Sequence, residues 1–192
     1  MNAFVVARSN FKRIMLDVEM LIAIYEHRDC IKIRKGCFDP KTRININESE
    51  ILLRSAIIFT VTAFEIYIES IIWQLCPHGL REKIYKKLGY FNSPKGKNIN
   101  DIFKYCDIEN PLDKCSWRGM PNNKVKEKLG RIVDMRCFIV HKDRVSRLVR
   151  DGGRIKEVVD KKLSLNQTKK HVEFIGKLVK CLETIVIRFK EN

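Results

Sequence analysis

Helix breakers are scarce in this chain. Nine glycines and five prolines in 192 residues are roughly 7% of the total, against a usual share of about 12%. Such a chain is expected to be mostly helical. Zinc-finger spacing is absent too. The seven cysteines (Cys30, Cys37, Cys76, Cys106, Cys115, Cys137 and Cys181) are odd in number, contain no C-x-x-C and have no histidine at ligand spacing. That argues against a structural metal and against a disulfide framework. It points to a reducing, cytoplasmic setting in which the thiols serve as small core hydrophobes. The opening MNAFVVARSNFKR has no basic stretch ahead of an uninterrupted apolar run, so it does not read as a secretory signal. Acidic residues are outnumbered, 23 against 38 Lys and Arg, for a formal net charge of +15. A charge of that sign and size suits a polyanionic partner, most simply nucleic acid, or an anionic membrane surface.

What the chain does have is core-forming material, with 45% apolar and 32% charged residues. These proportions fit a globular domain rather than a disordered chain or a membrane bundle. The length suits a single domain over 1–192. Residues 3–28 show a helical period in Phe11, Ile14, Val18, Leu21 and Tyr25. Residues 31–46 lose it and read as a loop able to hold one short strand or hairpin. A second helix should start behind Asn47, with Glu50 completing a capping box, and stop at Pro77-His78-Gly79. Its run ILLRSAIIFTVTAFEIYIESIIWQLC is apolar enough to raise the question of a membrane span. Arg54, Glu65 and Glu69 interrupt it, and only ten residues separate the first two, where a span needs about 20. A bundle's central helix is the expectation, with no membrane partner.

A short basic helix is expected over 80–88, and another, capped at Asn98 or Asn100, to about Asp107. Loop follows over 108–121, then a helix over 122–141. A basic loop over 142–163 turns at Gly152-Gly153. The last helix is capped by Ser164 with Gln167 and runs to about Lys190, with Val172, Ile175, Val179, Leu182 and Val186 on one face. The fold class is therefore all-α: an up-and-down bundle of about four long helices with short helical inserts.

Positive charge concentrates in two places. Residues 124–150 carry nine Lys and Arg against three acids, and residues 80–97 carry six against one. Tyr85, Tyr90 and Phe91 are interleaved with the second cluster, where they either stack on unpaired bases or close the core. Lys142, Arg144, Arg147 and Arg150 in the first are candidate contacts to an RNA backbone.

Of four histidines, His141 lies in the densest basic context, Arg136-Cys-Phe-Ile-Val-His141-Lys-Asp-Arg144. His27 and His171 read as helix-surface residues and His78 as part of a helix stop. Five positions place Arg136 and His141 about 140° apart on an ideal helix, so convergence requires His141 at the helix end or Arg136 reaching around. The chemistry suits these residue types. Attack of a 2′-OH on the adjacent phosphate needs no metal. It needs a base and an acid, which an imidazole supplies, and a cation on the phosphoryl oxygens, which a guanidinium fork supplies. One such His per chain favours a two-fold dimer sharing a cleft. Arg54, Glu65 and Glu69 follow one stripe of the apolar helix and need partners there. Two readings stand open: a structural one, in which these charges form an internal ion pair of Arg54 with Glu65 or line a solvated groove, and a functional one, in which Glu65 orients Arg136 or His141.

LLRSAIIFTVTAFEIYIESI at 52–71, FNSPKGKNINDIFK at 91–104, Trp117-Arg118-Gly119 and KLGRIVDMRCFIVHKDR at 128–144 follow one another in an order and spacing that resembles the HEPN superfamily. The likeness is to its branch associated with RNA ligase and phosphatase genes, and it covers about 50–190. It implies a helical bundle and a metal-independent, usually dimeric endoribonuclease of prokaryotic toxin–antitoxin, phage-defence or RNA-processing systems, with an antitoxin protein as a further partner and no cofactor. By the resemblance, Arg136 and His141 are the catalytic pair; from its place on the apolar helix Glu65 is a third candidate catalytic residue, and Arg54 and Cys137 are candidates behind them. Cys137 stands where the family most often has a polar residue, commonly Asn, and Lys142 where many members have Gly. Some members are inactive RNA-binding or dimerisation modules, which is the alternative expectation.

Overall fold

A computed structural model describes residues 3–27, 37–39, 44–46, 48–89, 94–141, 149–151, 154–156 and 163–191. The class is all-α. Four long helices dominate: α1 (Ala3–Glu26), α2 (Glu48–Leu75), α5 (Asn122–His141) and α6 (Leu165–Glu191). Two short ones, α3 (Arg81–Gly89) and α4 (Gly96–Phe103), lie between α2 and α5. Each remaining connection carries a small antiparallel hairpin. β1 (Cys37–Asp39) pairs with β2 (Ile44–Ile46), and β3 (Val149–Asp151) with β4 (Arg154–Lys156), the latter with only Gly152 and Gly153 between them. Asn47, the expected cap of α2, lies outside the described residues.

Helix α2 is apolar on several sides and is accordingly enclosed on several sides. Leu53, Ala56, Ile57, Val61, Phe64, Tyr67, Ile68, Ile71 and Ile72 are all buried. The fully buried hydroxyl of Thr60 donates back to the Ala56 carbonyl at 2.6 Å, so it is satisfied within the helix. Over Glu50–Leu75 the helix is long and apolar enough to cross a membrane by length and composition, and 56% of its most apolar window is buried within the bundle. Burial by neighbouring helices thus accounts for much of that apolar character.

Specific pairs fix the helix directions. Phe11 meets Tyr67 edge-on at 5.9 Å and Asn10 bonds Ser70, while Val18 and Ile22 pack on Ala56. So α1 runs antiparallel to α2. Arg8 pairs with Glu183, and Glu26 with Lys169 at 2.5 Å, so α1 is also antiparallel to α6. Arg136 faces Glu65, and Met135 and Ile139 reach Leu53 and Ile57, which sets α5 antiparallel to α2. Consecutive long helices therefore alternate in direction.

The capping box of α6 is formed reciprocally. The Ser164 Oγ accepts from the Gln167 amide at 3.2 Å, and the Gln167 Oε1 accepts from the Ser164 amide at 3.4 Å. Helix α4, in contrast, starts at Gly96 behind an extended Lys95 with no side-chain cap, not at Asn98 or Asn100. Asn100 is buried inside the helix and spends its amide on the next segment. Its Oδ1 accepts from the Leu112 N–H at 3.0 Å and its Nδ2 donates to Asp113 at 2.9 Å. That clamps the 3-10 turn Pro111–Lys114 against α4. Gly119 then adopts φ +78° in the tight bridge between Trp117 and Met120, a conformation that favours glycine.

Candidate functional site

Glu65 sits midway along α2 on the side facing α5. Its Oε2 lies 3.7 Å from the Arg136 Nη2, with side chains only 12% and 22% exposed. The pairing leaves capacity unspent, because Glu65 Oε1 and Arg136 Nε are both buried without a hydrogen-bond partner. Burial pushes the Glu65 carboxyl above the ordinary carboxylate range. The Arg136 charge pulls it back down by less, and Glu69, one turn along, adds to the rise. Glu69 is raised by burial as well. The site thus couples a partly shielded guanidinium to a carboxyl that holds its proton more tightly than usual.

Arg136 is five residues before His141, and α5 ends at His141. The helix terminus is the place from which the chain can leave the 140° separation of an ideal helix. The imidazole itself, and Lys142, Arg144 and Arg147, lie outside the described residues. For Arg150 only the backbone is described, in β3, opposite Ile155. Cys137 is half-buried and packs against the main hydrophobic core.

Arg54 is not brought to Glu65. Eleven residues of helix separate them by about 16 Å along the axis, far beyond an ion pair, although they share a stripe. The Arg54 guanidinium instead engages Glu50 one turn away, through Nε at 3.1 Å and Nη2 at 2.8 Å. The internal Arg54–Glu65 pair is thereby corrected: Glu65 has Arg136 as its cation.

His27 and His78 are exposed. His171 departs from the surface reading, for it is half-buried and its Nδ1 is enclosed without a partner. Burial first, and the nearby Lys128 ammonium second, hold it below the usual imidazole value. Lys128 itself lies over the Phe174 ring at 4.8 Å. Flanking lysines on α6 give His171 the look of a surface residue in sequence, and only the approach of α5 encloses it. Another buried polar group joins α1, α2 and α6: Glu183 pairs with Arg8, while the Tyr67 hydroxyl donates to the Val179 carbonyl at 3.5 Å.

Cys76, Cys106 and Cys115 are buried free thiols, and Cys137 and Cys181 are half-buried ones. Burial pushes Cys106 up to about 12, so it packs as a hydrophobe. Cys30 lies outside the described residues. Among the described residues no group of three or more His, Cys, Asp or Glu could hold a metal ion. Tyr85 does not close the core, being 72% exposed; Tyr90 and Phe91 lie outside the described residues.

Comparison with protein-family models, with curated proteins and with solved structures returns no match.

Proposed function

We propose that the chain is a metal-independent endoribonuclease, acting in the cytoplasm in a prokaryotic toxin–antitoxin, phage-defence or RNA-processing system, and that it works as a homodimer. The observation that carries this reading is the Glu65–Arg136 pair, half-buried, with an unspent guanidinium nitrogen, five residues ahead of a histidine that ends the same helix. The HEPN resemblance of the surrounding blocks points the same way.

In this mechanism Arg136 holds the non-bridging oxygens of the scissile phosphate, and Glu65 fixes the direction of its fork. A fork of N–H donors matches two phosphate oxygens and gains in worth where water is partly excluded. His141 takes the proton of the 2′-OH as the 2′-oxygen bonds to phosphorus. The phosphorus–O5′ bond breaks, and the leaving oxygen takes a proton from the imidazolium of the second copy. The products are a 2′,3′-cyclic phosphate and a free 5′-OH. Two copies supply the two proton transfers that one histidine per chain cannot perform together. Val140, one turn beyond Arg136 on α5, is an apolar side chain left open and offers a surface on which copies would meet. Lys142, Arg144, Arg147 and Arg150 would hold the RNA backbone, and an antitoxin protein is the expected partner that restrains the activity.

The test uses purified protein, single-stranded and structured RNA, and excess EDTA. Cleavage should persist and leave cyclic phosphate ends. Arg136→Ala and His141→Ala should each lose about 100-fold or more in rate while retaining RNA affinity. Wild type that binds RNA but cleaves no faster than His141→Ala defeats the enzyme reading. One observation favours the alternative, an inactive RNA-binding or dimerisation module. Cys137 packs against the core at the position where the resembling family most often has a polar residue.

A further inference from the structure

The far end of α2 carries an arrangement that cleavage chemistry does not use. Trp73, in the last turn of α2, is 41% exposed. Arg81 opens α3 beyond the Pro77 turn, and its guanidinium carbon lies 5.5 Å from the centre of the Trp73 ring. Its Nε is buried and has no hydrogen-bond partner. Tyr85 is one turn further along the same face of α3 and stands 72% exposed, so its ring adds little to the core. Lys83 and Lys86 are exposed beside it, the latter bonded to Glu82 at 3.0 Å. An open ring at the end of α2 thus has beside it a guanidinium of the basic helix α3, which carries a second open ring one turn further on.

We propose that Trp73, Arg81 and Tyr85 form a stacking platform for the unpaired bases of single-stranded RNA, separate from the Glu65–Arg136 pair. The proposal rests on RNA being the polymer this chain engages. Trp73 and Tyr85 present open rings, Arg81 backs the Trp73 ring with positive charge, and every base has a face to lay against a ring. A cationic ligand is disfavoured by Arg81, Lys83 and Lys86. A duplex is disfavoured because its bases are already stacked on one another. Trp73 lies eight residues beyond Glu65, about 12 Å along α2, which a short single strand spans. Glu69 stands between them on α2 and repels phosphate there.

The test uses a 2′-O-methyl RNA octamer, which has no free 2′-OH to attack and so reports binding apart from cleavage. Affinity is read by anisotropy and by quenching of tryptophan emission. Trp117 packs on Phe174 with ring centres 5.6 Å apart, and Trp73→Phe assigns the quenched component to Trp73. Trp73→Ala and Tyr85→Ala should each weaken binding about tenfold. They should leave affinity for an abasic octamer of equal length unchanged, and Trp73→Phe should retain most of the affinity. Alanine variants that bind like wild type overturn the platform. So does an equal loss on the abasic strand, and so does Trp73 emission that changes with protein concentration alone, which would mean that a second copy covers the ring. Octamer binding that needs Trp73, in a protein that cleaves no RNA, leaves the platform standing and removes the ribonuclease. Cleavage of RNA with octamer affinity indifferent to Trp73 does the reverse.

Discussion

Glu65→Gln separates two forces that oppose each other at the α2–α5 seam. At 3.7 Å and an effective dielectric constant near 20, the attraction between Glu65 and Arg136 is about 4.5 kcal/mol. Withdrawing a carboxylate from water costs several kcal/mol. The Glu65 carboxyl is pushed up, with burial as the largest cause and Arg136 acting against it. Desolvation is therefore the larger force at this residue, and the ionised form is a net cost to the fold. The sign follows. The folded value lies above the unfolded one, so the native state holds the proton more tightly. Stability is then lost as pH rises from the ordinary carboxylate value through the raised one. Glutamine keeps an acceptor for Arg136 and carries no charge to desolvate. The variant should stay within about 1 kcal/mol of wild type at pH 7, against about 3–5 kcal/mol for breaking a favourable buried pair. Its stability relative to wild type should improve between pH 4.5 and pH 7. Urea unfolding at the two pH values measures both quantities, and removing the Glu65 charge also relieves its repulsion with Glu69, which moves the difference in the same direction. A loss above about 2 kcal/mol at pH 7, or a difference that moves the other way, refutes the reasoning. Under the ribonuclease proposal the same variant should slow cleavage, because Arg136 is then held only by a neutral acceptor while the fold is kept.

His171 has a folded value below the unfolded one, so the unfolded chain takes up a proton first on acidification and stability is lost as pH falls through about 6.5. His171→Leu should reduce the drop in melting temperature between pH 7.5 and pH 5.5, and an unchanged drop would contradict the burial argument. Asn100→Ala leaves the buried Leu112 N–H without its acceptor and should cost about 1–3 kcal/mol in urea unfolding. Hydrogen exchange at Leu112 should accelerate in step, and an unchanged rate would show that the clamp is unimportant.

Elements bounded by local chemistry were legible in the sequence. Pro77 and the Ser164–Gln167 box act through residues within one turn of themselves, and α2 ends and α6 begins where they dictate. Asn100 misled because an amide suited to a local cap is spent twelve residues away, a choice settled by how α4 meets the Pro111 turn. Arg54 and Glu65 illustrate a different limit. Sharing a helical stripe fixes angle but not height, and an i, i+4 partner in Glu50 was at hand. That Glu65 required a cation could be read from its apolar surroundings. That the cation is Arg136 depends on the register of α5 against α2, which no local pattern encodes. His171 is hidden in the same way, by a neighbour from another helix.

The alternation of helix direction has an electrostatic corollary. At one end of the bundle the C-termini of α1 and α5 meet the N-termini of α2 and α6. A helix N-terminus carries about half a positive charge and a C-terminus about half a negative one. Side by side in equal number, these partial charges cancel within a few ångströms. The field around a chain of net charge +15 therefore comes from its lysine and arginine side chains and hardly from its backbone. Such a field is screened over about 8 Å in physiological salt. An anion is drawn in only near those side chains, and its capture fades steeply as salt is added.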